Sequence, residues 1–478
     1  MSSPARVLRN TLFLIASNLT TKLLGAVFVI LLARYLEDFG FGQYSFAFSF
    51  VAVFIIFADF GFDALTTRNV ARNPKLAGEY LELVGGLRVG LSLVMISIAL
   101  IAGYMLGLSD YLLLVILAAG LMYLFDKVSG LFYALFRARE RMEVEAGIQI
   151  VWKLVQTGIG LAAMWLGYAL LEIVLFLLVA SVFRCIISFT ALRAMGVRPS
   201  RGATKAGQVV KLSAPFAAYE VGNALYANVI VIMLFVLQAP GETGWFNAAL
   251  LIITFLLLIP MALETAIYPF FSKLYGRSDK EMRFAYGKSM KFSLMAALPV
   301  AVLIIIMSDQ LAGFFGESFE NVANCLRLTA LALPLFTLNM LMKAALWSSD
   351  SQNRMAKNIW LAAIVLAVCS FILVSREGYV GASIALVIGE AVLLGANLLA
   401  MGKKRFPVAR HLARPLLAGL GMGAIAILQM KFLADKLSVY QIAVFSILVY
   451  VLLLLALSAF NKVDRQLVMS AIRPRTPQ

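Results

Sequence analysis

Uninterrupted apolar runs of about 20 residues recur along this chain, and no other feature limits its fold as much. A backbone crossing hydrocarbon must satisfy its own N–H and C=O groups, so such runs read as membrane-spanning helices. Fourteen candidate spans are visible: 11–32, 44–65, 83–107, 111–135, 147–167, 170–192, 212–237, 245–271, 289–308, 324–347, 358–375, 380–400, 415–430 and 440–460. The composition agrees. Hydrophobic residues make up 62% of the chain and charged residues 14%, about half the share of a soluble domain. The first run, Thr11 to Leu32, is too long for a signal-peptide core and lacks a small-residue cleavage site, so it reads as a retained span.

The net charge of +16 would suit a nucleic-acid binder only if the cations were gathered on a water-exposed face. They lie instead in short loops between the spans. With the N-terminus inside, the inner segments hold 30 Lys and Arg, and the outer loops hold only Arg34, Arg376, Lys431 and Lys436. That asymmetry is the positive-inside pattern of a chain with both termini in the cytoplasm. The expected partners therefore include membrane lipids and exclude nucleic acid.

The expected fold is an all-α polytopic membrane protein of about 14 transmembrane helices, in two pseudo-repeated six-helix lobes plus two C-terminal helices. Residues 1–193 form the first lobe and 194–211 a basic cytoplasmic linker. Residues 212–400 form the second lobe, and 401–478 the last two spans and a cytoplasmic tail. A weak repeat supports the duplication. The segment from Asp38 through Gly42 to Tyr44 opens the second span, and the segment from Pro240 through Gly244 to Phe246 opens the eighth, 202 residues later.

Charges inside spans are expensive at about 2.5–3.5 kcal/mol each, so they must snorkel, pair or line a wet cavity. The cations are Lys22, Arg88, Lys127, Lys153, Arg184, Arg327 and Lys343, and the acids are Asp59, Asp63, Asp126, Glu220, Glu264 and Glu390. Five of the cations but only three of the acids fall in the first lobe. Lys22 lies mid-span with Asn18 one turn away, which fits either a cavity lining or a structural ion pair. Glu220 and Asn223, three apart, give the seventh span a matching polar stretch. Arg88, Lys127, Lys153, Arg184 and Lys343 lie toward the inner halves of their spans, where snorkelling to the headgroups competes with a buried role. Arg327 is expected to snorkel outward. Asp59 and Asp63 share a helix face and are expected to pair with intramembrane cations, Lys22 among them. Glu390 reads equally as a paired acid or as a proton or sodium site.

Several chemistries find no support. Cys185, Cys325 and Cys369 are far apart, and His411 is the only histidine, so no metal-ligand spacing exists. Gly287-Lys288-Ser289 resembles the end of a phosphate-binding loop, but Met282 stands where its first glycine is required. No cofactor is expected.

The chain resembles the polysaccharide and O-antigen flippases of the multidrug/oligosaccharidyl-lipid/polysaccharide exporter superfamily. The likeness rests on Asp38 to Tyr44, Ala58 to Phe62 with Arg68 to Arg72, Leu326 to Pro334, and Gly378 to Ala385 followed by Glu390. It implies a secondary transporter in the cell (inner, cytoplasmic) membrane that flips a lipid-linked oligosaccharide to the outer leaflet, and no enzyme activity. Glycan-assembly enzymes would be its neighbours. Lys22 and Asn18, with Lys127, Arg184, Glu220 and Asn223, become the candidate substrate contacts. Glu390 and Asp59 become the candidates for ion coupling. A multidrug or metabolite cation antiporter of the same superfamily is the nearest rival. A glycan polymerase or ligase is further off, since such enzymes carry sizeable outer loops.

Overall fold

The computed structural model describes residues 4–202, 206–275, 277–349, 351–401, 408–433, 437–459 and 464. The linker residues 203–205, residues 402–407 of the 401–414 loop and nearly all of the expected tail lie outside the described residues.

Among the described residues the chain is helices and short connections, with no strand. The helices are α1 (Pro4–Ile55), α2 (Phe62–Arg72), α3 (Ala77–Met105), α4 (Asp110–Ala138), α5 (Met142–Trp165), α6 (Leu170–Ala194), α7 (Ala206–Leu237) and α8 (Pro240–Leu256). They continue with α9 (Leu258–Leu274), α10 (Asp279–Ile306), α11 (Ser308–Ala312), α12 (Val322–Thr329), α13 (Leu333–Ser348), α14 (Gln352–Ala400), α15 (Val408–Phe432) and α16 (Val439–Ala456).

Among the described residues ten helical segments are long and apolar enough to cross a membrane, or eleven with the α8–α9 pair, bent by 41°, taken as one span. Two of the ten hold two spans each. The backbone of α1 leaves helical geometry at Glu37 (φ 58°, ψ −176°), and that of α14 at Gly378 (φ 53°, ψ −130°). Helix α5, made less apolar by Gln149, Lys153 and Gln156, is not among them. The expected runs, as far as they are described, fall on these helices, and the protein is a multi-pass membrane protein. The tight connection near 167 closes because Gly167, at φ 80°, caps α5: its N–H donates to the Met164 carbonyl (3.1 Å) and that of Tyr168 to the Ala163 carbonyl (3.2 Å).

The chain divides into two compact units. One holds residues 1–248, 314–319 and 359–382, and the other 249–313, 320–358 and 383–478. In the first, Phe46, Phe50, Val51 and Ile55 of α1 are buried with Ile96, Val115, Ile116 and Val174 from α3, α4 and α6. Phe46 also stacks on Phe235 of α7 at 4.0 Å. Large apolar side chains cover the outside as well: Leu93, Val94, Ile98 and Ile101 of α3, and Val151, Leu154 and Leu161 of α5, are exposed. Water would not tolerate so continuous an apolar surface, and hydrocarbon does. In the second unit, Phe271, Tyr286, Met290 and Leu341 are buried together, as are Met295, Met422, Tyr450 and Leu454.

The two repeat segments meet backbone to backbone inside the first unit. A Cβ on Gly42 would lie 2.7 Å from the Pro240 carbonyl carbon, and a Cβ on Gly244 would lie 3.0 Å from that of Asp38. Under the repeat, Gly42 corresponds to Gly244 and Asp38 to Pro240. The contact is therefore reciprocal, as at a two-fold interface. Only glycine allows so close an approach.

Candidate functional site

An ionic network runs through the helices of the first unit. Arg88 of α3 is fully buried and pairs with both Asp59 and Asp63 at 2.8 Å. It also donates to the backbone carbonyl of Lys127. The ammonium of Lys127 reaches the second oxygen of Asp59 at 2.6 Å. Its neighbour Asp126 points the other way round α4 and pairs with Arg184 of α6. The Arg184 guanidinium lies 3.9 Å over the ring of Trp152 on α5. Toward the 136–146 loop, Arg137 holds the buried carboxylate of Glu145 with two bonds, of 2.8 and 2.5 Å.

The expected pairing of Asp59 and Asp63 with intramembrane cations is thus present, with Arg88 and Lys127 as the partners. Arg88 does not snorkel, because two carboxylates hold it inside. The acids begin a broken helix at the end of the second span: Gly61, at φ 69°, precedes α2, and a 3₁₀ turn at 56–58 ends α1. That break turns both carboxylates inward to Arg88.

On α1, Leu19, Leu23, Val27 and Leu31 are exposed and apolar, as a lipid-facing side requires. Asn18, Thr20 and Lys22 are exposed on the same arc of the helix, with Asn18 and Lys22 at its edge, about 100° round from Leu19 and Leu23. On the far side the helix packs on α5: Ser17 donates to the Ala146 carbonyl at 3.3 Å, and Phe28 is buried against Gly160.

On α7, Ala218 and Gly222 face residues 359–360: the Trp360 indole donates to the Ala218 carbonyl at 2.9 Å, and a Cβ on Gly222 would touch Ile359 at 2.9 Å. Half-buried Glu220 and exposed Asn223 lie on the other side of that helix.

Glu390 belongs to the second unit, apart from these residues. It is buried, and the Asn339 side-chain amide donates to its carboxylate (2.7 Å) and to its backbone carbonyl (3.0 Å). Asn397 donates to the Asn339 side-chain oxygen at 3.3 Å, and Asn358 to that of Asn397 at 2.9 Å. This amide chain was missed, although asparagines within apolar runs were a visible signal. Lys343 pairs with Glu264 at 2.8 Å, and Arg327 with Asp309 at 2.7 Å. Lys288 and Lys291, counted in sequence as loop cations, are buried on α10 and hold the carboxylate of Asp464 at 2.5 and 2.6 Å.

The arrangement offers cations on long apolar helices. Among the described residues no cluster of His, Cys, Asp and Glu is suited to a metal ion.

Known proteins share both the sequence pattern and the fold. The family model described as polysaccharide biosynthesis protein matches residues 7–275, more than half of the chain, and the MatE model matches residues 215–374. No curated protein matches the chain significantly. Among solved structures, lipid II flippase MurJ in an inward closed conformation superposes with a TM-score of 0.70 at 15% identity, covering 96% of this chain and 100% of that one. An inward-facing multidrug resistance MATE transporter of the MOP superfamily gives 0.63 at 15% identity, covering 80% and 94%. A MOP superfamily transporter from Pyrococcus furiosus, noted for reversed polarity of its binding pocket, gives 0.53 at 14% identity, covering 84% and 95%. With the fold of MOP-superfamily transporters and a match over more than half its length, this chain belongs to the polysaccharide biosynthesis protein family.

Proposed function

We propose that the protein is a secondary transporter that flips a lipid-linked oligosaccharide, borne on polyprenyl phosphate or pyrophosphate, from the cytoplasmic to the outer leaflet. It does so by alternating access, without catalysing a reaction, in the cytoplasmic membrane and with both termini in the cytoplasm. The observation that carries the reading is the Asn18–Lys22 pair: an exposed cation at mid-helix, at the edge of the apolar side of α1, with an exposed amide one turn away. An anionic headgroup crossing the bilayer needs such a charge, and a charge-assisted phosphate contact away from water outweighs a neutral hydrogen bond. Lys127 and Arg184 have their charge matched by Asp59 and Asp126, so they stiffen the wall behind the headgroup. Glu220 and Asn223 offer polar contacts from α7, and the buried Glu390 with its amide chain is the candidate for ion coupling.

A cation antiporter is the second reading, favoured by the MatE match over residues 215–374. Complementation of a flippase-deficient strain separates the two. Lys22→Gln should abolish surface glycan at normal membrane abundance, and Lys22→Arg should restore part of it. Full export by Lys22→Gln, or drug efflux without glycan export by the wild type, would overturn the proposal.

A further inference from the structure

The second and eighth spans break at the same place in the repeat. Helix α1 ends at Ile55, and 202 residues later stands Leu257, the residue between α8 and α9. The causes differ. In the second span Phe60 and Gly61 are left-handed, at φ 42° and 69°. Tighter i→i−3 bonds replace the helical ladder there: the Asp59 N–H donates to the Ile56 carbonyl (3.0 Å) and the Phe62 N–H to that of Asp59 (2.9 Å). In the eighth span Pro260 has no N–H for the carbonyl of Leu256, four residues before it, and the two helices meet at 41°. Different residues produce the same interruption, so the break itself is the feature the two spans share.

The halves beyond the breaks are tied in matching ways. Helix α2 packs on α4, the fourth span, and Asp59 just before it pairs with Lys127 of α4 at 2.6 Å. Helix α9 packs on α13, in the tenth span, and Glu264 pairs with Lys343 of α13 at 2.8 Å. A repeat of six spans makes the fourth and the tenth equivalent. The acids match as well: Asp59 and Asp63 lie four and eight residues past Ile55, and Glu264 lies seven past Leu257. All four side chains of the two lysine pairs are mostly buried. The halves before the breaks begin instead at the Gly42–Gly244 contact, where backbone meets backbone.

Separating a buried ion pair is costly, whereas bending a helix where its ladder is already interrupted breaks no hydrogen bond. We propose that residues 56–61 and 257–260 are paired hinges. The glycine-bearing halves of the second and eighth spans swing on them to part the Gly42–Gly244 contact, while the Asp59–Lys127 and Glu264–Lys343 pairs clamp the far halves to α4 and α13. This rests on the alternating-access reading. The two clamps are unequal: Arg88 adds a second cation for Asp59 and Asp63, whereas Met290 stands at the repeat position of Arg88. The eighth span therefore has the softer hold.

The test uses full-length protein in nanodiscs, carrying pairs of spin labels at exposed positions whose distances are read by electron spin resonance. Phe39 with Ala239 reports separation across the glycine contact. Phe39 with Arg68, and Ala239 with Phe270, report the bend within each span, and Phe270 with Asn353 reports the hold of α9 on the end of α13. Gly42→Ala disfavours the contact and should populate a second, longer Phe39–Ala239 distance. The same variant should shift both within-span distances; straightening the 41° bend alone lengthens the Ala239–Phe270 path by about 3 Å. The Phe270–Asn353 distance should stay single. Pro260→Ala restores the missing N–H and should abolish the shift in the eighth span only. Glu264→Gln combined with Lys343→Met, which leaves no unpaired charge, should broaden the Phe270–Asn353 distance. Separation of Phe39 from Ala239 with both within-span distances fixed would mean rigid rocking, and would sink the hinges while keeping alternating access. No separation in Gly42→Ala would sink the contact as a gate, and with it the alternating-access reading at this end of the protein. A Phe270–Asn353 distance unchanged in the double variant would sink the ion pair as a clamp.

Discussion

Adding one methyl group at Gly42 or Gly244 probes the reciprocal contact between the repeat segments. The Cβ of Gly42→Ala would sit 2.7 Å from the Pro240 carbonyl carbon, and that of Gly244→Ala 3.0 and 3.1 Å from the carbonyl carbon and Cα of Asp38. Carbon atoms pack at about 3.5–4.0 Å, so the two backbones must part by about 1 Å. Both obstacles are backbone, which cannot rotate aside as a side chain does. Overpacking of this kind costs about 1–3 kcal/mol, against a helix-propensity gain for alanine of at most about 1 kcal/mol. The clash wins, and the contact state should lose about 1–2 kcal/mol, or about 5- to 30-fold in population. If transport passes through this state, each variant should lower flux by that factor at unchanged membrane abundance. One separation relieves both clashes, so the double variant should be little worse than either single one. Wild-type flux from both single variants, or strictly additive losses in the double, would refute the reasoning.

Other outcomes follow from the same geometry. A cysteine at exposed Ala239 should be labelled from outside the cell and one at exposed Arg201 should not; the reverse would overturn the topology. Gly241 and Gly202 are unsuitable as probes, since a Cβ there meets the carboxylate of Asp38 or of Glu79. Asp464→Asn leaves Lys288 and Lys291 buried without their shared carboxylate, and should lower stability by about 3–5 kcal/mol, read as a fall in melting temperature in detergent. Combining it with Lys291→Met should recover part of that loss. The purified protein should show no substrate-stimulated ATPase activity above an inactive control, and such activity would contradict a secondary transporter.

Much of the architecture was legible because a bilayer demands long apolar runs, and runs survive in a one-dimensional reading. The i, i+4 spacing of Asp59 and Asp63 likewise announced a shared face. Partners on other helices were not legible. Arg88 looked able to reach a headgroup because it lies near the end of its span, and nothing in the sequence brings Asp59 and Asp63 to it. Lys288 and Lys291 were counted with a loop, although their i, i+3 spacing fits one helix face. The packed side of α1 was not legible either, because spacing alone does not say that Ser17 and Phe28 meet α5.

The central claim is transport of a lipid-linked glycan, and flipping by the purified protein tests it most directly. Proteoliposomes would carry a short-glycan polyprenyl diphosphate in the inner leaflet, with arrival outside read by a membrane-impermeant glycosidase. The account predicts that the protein makes the glycan accessible far faster than in protein-free vesicles, and that Lys22→Gln removes the gain. Glycan access no faster than in empty vesicles, across the ion gradients and membrane potentials applied, would contradict it.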